Sequence, residues 1–341
     1  MKRINNLRVA SFQGIAAPAE VFEKLPVNDA AGACVAGARE NIENILSGKD
    51  KRKIIIVGPC SIHNYEQAIE YAKKLNELRK KVEDKLVIIM RTYLEKPRTT
   101  VGWKGFLYDP HLDGSYDLIE GVMTSRKLLL EINEMGLPTA TEVLGPVVIQ
   151  YYSDLICWSA IGARTAESQT HRELASGLSM PVGFKNGTAG NLDIAINAIL
   201  AAQEKHHFLG MDDAGRVAVV ETKGNQYCHL ILRGGSKGPN YDEVSVKNAI
   251  EACKKADVNS RLIVDCSHAN SEKNYKNQGN VFRNVWGQIK SGNDNIAGLM
   301  IESNLFEGSQ KISQSMQHGV SVTDSCISFE ETERLIMEAY L

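Results

Sequence analysis

Short, almost uninterrupted apolar runs punctuate this chain, and most are followed by a stretch in which apolar positions recur every three or four residues. The runs are Lys53–Val57, Leu86–Arg91, Pro138–Glu142, Leu155–Ile161, Pro181–Lys185, His229–Arg233, Arg261–Asp265 and Gly298–Glu302. Apolar runs without a polar alternate predict strands buried on both faces, as in parallel sheets. Helical spacing predicts helices at Tyr65–Lys81, Tyr116–Met135, Glu167–Ser176, Asn191–Lys205, Glu243–Lys255, Val281–Lys290 and Phe329–Tyr340. In Tyr65–Lys81 the residues Ala68, Ala72, Leu75 and Leu78 form the apolar stripe, with lysines between. Eight strand-then-helix units in 341 residues predict an α/β chain folded as a (β/α)₈ TIM barrel. The unit count and the lack of a GxGxxG disfavour an open doubly wound sheet.

Two segments fall outside the repeat. Residues 1–52 precede the first strand and carry one helix, about Ala36–Leu46. They read as an N-terminal arm, with an oligomeric or regulatory role, ahead of a catalytic barrel over residues 53–341. Arg216–Thr222 and Gln226–Leu230 are rich in β-formers and flank Lys223-Gly224-Asn225, which predicts a hairpin inserted before the sixth barrel strand.

Composition narrows the class. Hydrophobic residues make up 43% and charged residues 23%, as in a soluble globular protein. A net charge of -2 gives no global attraction to nucleic acid or to acidic membranes, so neither is expected as a partner. No apolar stretch approaches a membrane span. Met1-Lys2-Arg3-Ile4-Asn5-Asn6 lacks the apolar core of a signal peptide. Seven cysteines without CxxC spacing point to reduced thiols and a cytoplasmic location.

Candidate chemistry gathers where the runs end. Arg91, Lys96, Arg98, Arg164, Lys185 and Arg233 end strands or follow them closely. In a barrel, strand C-termini share one rim, and the working residues lie there. Six like charges in a low-dielectric mouth repel strongly unless an anion fills it. Guanidinium forks suit phosphate and carboxylate oxygens, so phosphorylated small-molecule substrates are expected. Alternatively, some of these cations pair with Glu95, Glu142 or Glu167. A second set is Cys60, His268, Glu302 and Asp324, which follow strands one, seven and eight. Closing the barrel makes strands one, eight and seven neighbours, so the four can meet. A thiolate, an imidazole and two carboxylates suit a divalent ion such as Mn, Fe, Co or Zn. Packing of a buried thiol and a lone histidine remains the plainer alternative.

The motifs carry a family resemblance. They are Gly58-Pro59-Cys60-Ser61-Ile62-His63, Arg91-Thr92-Tyr93-Leu94-Glu95-Lys96-Pro97-Arg98-Thr99-Thr100, Gly162-Ala163-Arg164-Thr165, Gly183-Phe184-Lys185-Asn186-Gly187-Thr188, Leu232-Arg233-Gly234-Gly235, Asp265-Cys266-Ser267-His268 and Ile301-Glu302-Ser303. In these, from about residue 35 onward, the chain resembles 3-deoxy-D-arabino-heptulosonate-7-phosphate (DAHP) synthase of class I, the enteric and yeast type. The resemblance implies metal-dependent condensation of phosphoenolpyruvate with erythrose 4-phosphate, releasing phosphate, at the entry to the shikimate pathway. It implies Cys60, His268, Glu302 and Asp324 as metal ligands. It also implies Arg91, Lys96, Arg164, Lys185 and Arg233 as the phosphoenolpyruvate clamp, and Lys96, Pro97, Arg98 and Thr99 as the aldose phosphate loop. Lys96 or Lys185 is expected to supply a proton to the new alkoxide, because a lysine crowded by cations loses protons more easily. Feedback inhibition by an aromatic amino acid, tyrosine or phenylalanine, is implied near Ser179 and the arm, as is a homodimer or homotetramer. A 3-deoxy-D-manno-octulosonate-8-phosphate synthase, a barrel that only senses phosphosugars, and a metal-dependent aldolase or hydrolase are the competing readings.

Overall fold

The computed structural model describes residues 4–341. The arm holds α1 (Pro18–Lys24) and α2 (Asp29–Leu46). Then follow β1 (Lys53–Gly58), α3 (Tyr65–Val82), β2 (Leu86–Arg91), α4 (Leu118–Glu134), β3 (Thr139–Glu142), β4 (Trp158–Ile161), α5 (Gln169–Gly177), β5 (Val182–Lys185) and α6 (Asp193–Gln203). After them come β6 (His207–Met211), β7 (Val217–Glu221), β8 (His229–Leu232), α7 (Glu243–Lys255), β9 (Leu262–Asp265), α8 (Gln278–Lys290), β10 (Ile296–Glu302) and α9 (Phe329–Tyr340). Eight strands close into a parallel barrel in the order β1-β10-β9-β8-β5-β4-β3-β2, and β6 and β7 form a separate antiparallel pair.

The pleat of each barrel strand splits its apolar run between two cores. Ile55 and Val57 of β1 face outward into the layer shared with the helices. Ile54 and Ile56 face inward, with Val87, Ile89, Trp158, Ile231, Ile263 and Met300. That interior cluster continues into Val35, Ala38, Ile42, Ile45 and Leu46 of α2, so α2 covers the end of the barrel where the strands begin. Among the described residues no helix is long and apolar enough to cross a membrane.

Three expectations need correction. The hairpin is made by His207–Met211 and Val217–Glu221 around Asp212–Arg216, with Gly215 in the left-handed region. The segment Gln226–Leu230 is not its partner, because His229 and Leu230 pair with β5 inside the barrel. Lys223-Gly224-Asn225 is a crossing point instead: a Cβ on Gly224 would lie 2.0 Å from the carbonyl oxygen of Gln203. The arm helix starts at Asp29, not Ala36, because Asn28 caps it by accepting from the Ala31 N–H at 2.9 Å. The fourth barrel strand is shorter than Leu155–Ile161, since Ser153–Leu155 forms a 3₁₀ turn.

Candidate active site

Parallel strands bring all eight C-terminal ends to one face. Gly58 ends β1 with φ +153, and a Cβ there would lie 2.9 Å from the Arg91 carbonyl oxygen, so the turn into Pro59-Cys60 needs glycine. Barrel closure sets Gly58 opposite Glu302. The segment after β10 folds back, with Ile327 N–H donating to the Glu302 carbonyl and the Ser61 and Thr323 hydroxyls 2.7 Å apart. As a result the Cys60 sulfur and carboxylate oxygens of Glu302 and Asp324 all lie within 4.8 Å of one another. His268 Nε2 approaches Glu302 to 4.0 Å but does not lie within that span of all three. His268 has φ +57, a left-handed conformation that costs a non-glycine residue about 1–3 kcal/mol unless its surroundings hold it. Here Asp265 lies 2.9 Å and the Ser267 hydroxyl 2.7 Å from its Nδ1.

Above these groups opens a cavity of about 300 Å³, lined by Lys96, Pro97, Arg98, Thr99, Arg164, Lys185, Arg233, His268 and Asp324, with Glu142 and Thr188. Cys60, Glu302 and Arg91 are not in its wall. Arg91 is fully buried beneath, 3.1 Å from Glu302 and 2.8 Å from the Met300 sulfur. Lys185 lies 3.0 Å from the buried Asp265. Two of the six cations are therefore neutralised from within, by Glu302 and Asp265 rather than by Glu95, Glu142 or Glu167. Among the described residues no carboxylate oxygen lies within 4.0 Å of the guanidinium nitrogens of Arg98, Arg164 or Arg233. Burial pulls the Arg233 guanidinium down; Asp265 opposes this and Arg164 adds to it. This corner favours an incoming anion.

Lys96 donates to the Cys60 sulfur and to the Cys60 carbonyl, each at 3.1 Å. Burial pulls its ammonium down, but Cys60, Glu302 and Glu142 outweigh burial and the push from Arg91. The net direction is upward, so crowding by cations does not make Lys96 give up its proton. Burial and then Glu302 push the Cys60 thiol up to about 11, against Lys96. Burial raises Asp324, yet Lys96, His268, the Cys60 thiol and Arg98 hold it below the usual carboxylate range. Asp265 also lies well below that range: Lys185 and His268 overcome its burial. Among the described residues no cation comes within 4.0 Å of the Glu95 carboxylate. It accepts from Tyr152 at 3.1 Å, Tyr108 at 3.3 Å and the Gly145 N–H at 3.1 Å, and burial pushes it up to about 7.

Sequence reasoning places Asp265 at a strand end without giving it work, although it anchors Lys185 and His268. An acid closing a wholly apolar strand was the available signal. Glu142, expected only as a salt-bridge partner, faces the cavity with no cationic nitrogen within 4.0 Å among the described residues. A second cavity, about 450 Å³, lies on the barrel flank between Pro146–Gln150, α5 and the β6–β7 hairpin, with Ser179 in its wall. The arm touches both rims: the Ala19 N–H donates to Asp213 O at 2.8 Å, and the Tyr151 hydroxyl to Ala16 O at 2.9 Å.

Residues 25–337 match the model of the DAHP synthetase I family. The chain is 51% identical over 340 residues to the Tyr-sensitive phospho-2-dehydro-3-deoxyheptonate aldolase of Escherichia coli K12, covering 99% of this chain and 95% of that protein. It is 49% identical over 338 residues to the Trp-sensitive enzyme of the same strain, covering 98% and 97%. A solved phospho-2-dehydro-3-deoxyheptonate aldolase from Francisella tularensis SCHU S4 superposes with a TM-score of 0.96 at 45% identity, covering 97% of each chain.

Proposed function

This chain belongs to the DAHP synthetase I family, and from that membership we propose that its barrel mouth condenses phosphoenolpyruvate with D-erythrose 4-phosphate. The products are 3-deoxy-D-arabino-heptulosonate 7-phosphate and inorganic phosphate, in the first step of the shikimate pathway. The observation that supports it best is one shared mouth: a thiol and two carboxylates within 4.8 Å, under a cavity walled by Arg98, Arg164 and Arg233, which have no ion-pair partner among the described residues. A site for a simple aldol or hydrolytic step has no need of so many anion-binding groups.

The donor set fits a divalent ion. Cys60, Glu302 and Asp324 converge from three separate segments, and His268 stands beside Glu302 with its ring fixed from behind by Asp265. Mixed sulfur, nitrogen and oxygen donors favour Mn, Fe, Co or Zn over Ca or Mg. When bound, such an ion supplies Lewis acidity toward the aldehyde oxygen.

The protein's own groups do the rest. Arg164, Arg233 and Lys185 hold the phosphate and carboxylate of phosphoenolpyruvate, and the buried Arg91 adds positive potential from below. Lys96, Pro97, Arg98 and Thr99 hold the aldose phosphate. The enol carbon C3 attacks the aldehyde carbon, water adds at C2, and the C2–oxygen bond to phosphate breaks. Lys96 is the better placed proton source for the new alkoxide. It faces the cavity and reaches the Cys60 sulfur and carbonyl, whereas the Lys185 ammonium is engaged by the buried Asp265 carboxylate.

The flank cavity is the reading for an aromatic effector. It is largely apolar, of a size for one amino acid, and tied to the arm on both rims. The relatives' names include both Tyr-sensitive and Trp-sensitive enzymes; tyrosine or phenylalanine is the choice here. The arm exposes Ile4, Leu7 and Phe12, and the hairpin exposes Leu209, Val217 and Val219. Apolar surface on both suits a homodimer or homotetramer in which arms meet hairpins.

The deciding assay follows the enol ultraviolet absorbance of phosphoenolpyruvate with erythrose 4-phosphate or arabinose 5-phosphate, with and without chelator. Loss of absorbance only with the four-carbon aldose, abolished by chelator and restored by Mn, is expected. Turnover with arabinose 5-phosphate alone would overturn the reading.

A further inference from the structure

Three asparagine side chains stitch together the turns that follow β5, β8 and β9. Asn186, next to Lys185, is fully buried and uses both ends of its amide. Its Nδ2 donates to Gly187 O at 3.0 Å and Gly234 O at 2.9 Å, and its Oδ1 accepts from the Arg233 N–H at 2.9 Å and from Asn240 Nδ2 at 3.2 Å. Asn240 Oδ1 accepts from the Gly234 N–H at 2.7 Å. The Asn240 N–H donates to Asn270 Oδ1 at 2.8 Å, and Asn270 Nδ2 donates to Leu232 O and Asp265 O at 3.2 and 2.8 Å.

These turns touch backbone to backbone. A Cβ on Gly234, which has φ +71, would lie 2.8 Å from Asn270 N, and one on Gly235 would lie 2.3 Å from Gly190 N. No apolar side chain fits between them, so register among the three turns rests on hydrogen bonds. A primary amide carries donor and acceptor on two separate atoms of one short side chain, which suits it to bridge peptide groups on two turns. Asn240 is the link nearest the surface and is absent from the cavity wall.

We propose that Asn240 is a positioning residue for phosphoenolpyruvate, holding the Arg233 turn in register with Lys185 through Asn186 and with His268 through Asn270. The inference rests on the clamp reading of Arg233 given above. Arg233 opens the turn after β8, and the first two peptide N–H groups of that turn, Arg233 and Gly234, are both held by this network. Freeing one of them lets the guanidinium drift from the position it must share with Arg164.

The test is steady-state kinetics on the full chain with Mn. Asn240→Ala should raise the phosphoenolpyruvate KM about tenfold while kcat stays within about twofold, as expected for a displaced binding group. Asn240→Asp keeps the volume but sets a carboxylate oxygen against Asn186 Oδ1, and should do the same if the alanine variant folds poorly. In an Arg233→Ala background, Asn240→Ala should add less than about twofold, because the two act on one contact. An unchanged KM in both Asn240 variants, or losses that multiply in the double variant, overturns the proposal alone. An unchanged KM in Arg233→Ala overturns the clamp reading and the proposal with it.

Discussion

The ammonium of Lys96 lies 3.1 Å from the sulfur of Cys60, so a group assigned to substrate chemistry touches a group assigned to an ion. Replacing Cys60 by alanine removes the only soft donor of the set. Bound divalent metal should fall from about one per chain to a small fraction, and turnover by about 10²-fold or more. Elemental analysis after gel filtration reads the first effect. Full metal content in Cys60→Ala would exclude the thiol from the ligand set.

Arg164 and Arg233 line the cavity with no ion-pair partner among the described residues. Replacing either by alanine should cost about 2 kcal/mol or more in phosphoenolpyruvate binding, roughly thirtyfold in KM. The aldose KM should move far less. Equal shifts for both substrates would place these arginines outside a phosphoenolpyruvate clamp.

Lys185 and Asp265 form a buried pair. Asp265→Asn leaves the ammonium without its countercharge and should destabilise the fold by about 3–5 kcal/mol. Urea unfolding measures this. Lys185→Met combined with Asp265→Leu should unfold later than Asp265→Asn alone, since no stranded charge remains; the reverse order would show that the pair itself is not what matters.

Glu95 gives a pH signature. Its carboxyl is raised to about 7 in the fold by burial, so folding favours the protonated form. Its contribution is therefore full below about pH 4.5 and is lost as pH rises through about 7, a change of roughly 3 kcal/mol. Glu95→Gln cannot titrate, so the variant should gain on the parent chain steadily between pH 5 and 8. Parallel stability profiles in that window would show that Glu95 does not titrate there.

Ser179 lies in the wall of the flank cavity. Ser179→Leu should fill it and raise the inhibitory concentration of tyrosine or phenylalanine at least about tenfold, with both substrate KM values unchanged. A chain beginning at residue 28 keeps α2 and its cap but loses α1. Full inhibition of that chain would remove the arm from regulation.

The barrel was legible because its strands carry almost nothing but apolar side chains. Leu86–Arg91 is a strand over the whole expected range. The inserted hairpin was legible too, through Val217–Glu221, but its partner strand was not. His207–Met211 alternates poorly and abuts a helix end, while Lys223-Gly224-Asn225 resembles a turn but is glycine-bearing to let two backbones cross. The strand-end residues of the site could be listed from sequence, since their positions follow from strand order. Their pairing could not: which acid reaches Lys185 or Arg91 depends on side chains crossing the barrel interior, and nothing in linear spacing encodes that. The upward shift of Lys96 was missed for the same reason, because Cys60, Glu302 and Glu142 reach it from segments far away in sequence.

β1 is hydrogen-bonded to β10 along its length. The first barrel strand waits, during synthesis, for the last one. Cys60 meets Glu302 and Asp324 only once nearly the entire polypeptide has left the ribosome, so a nascent or prematurely ended chain presents a lone thiol where the finished one sets that thiol beside two carboxylates.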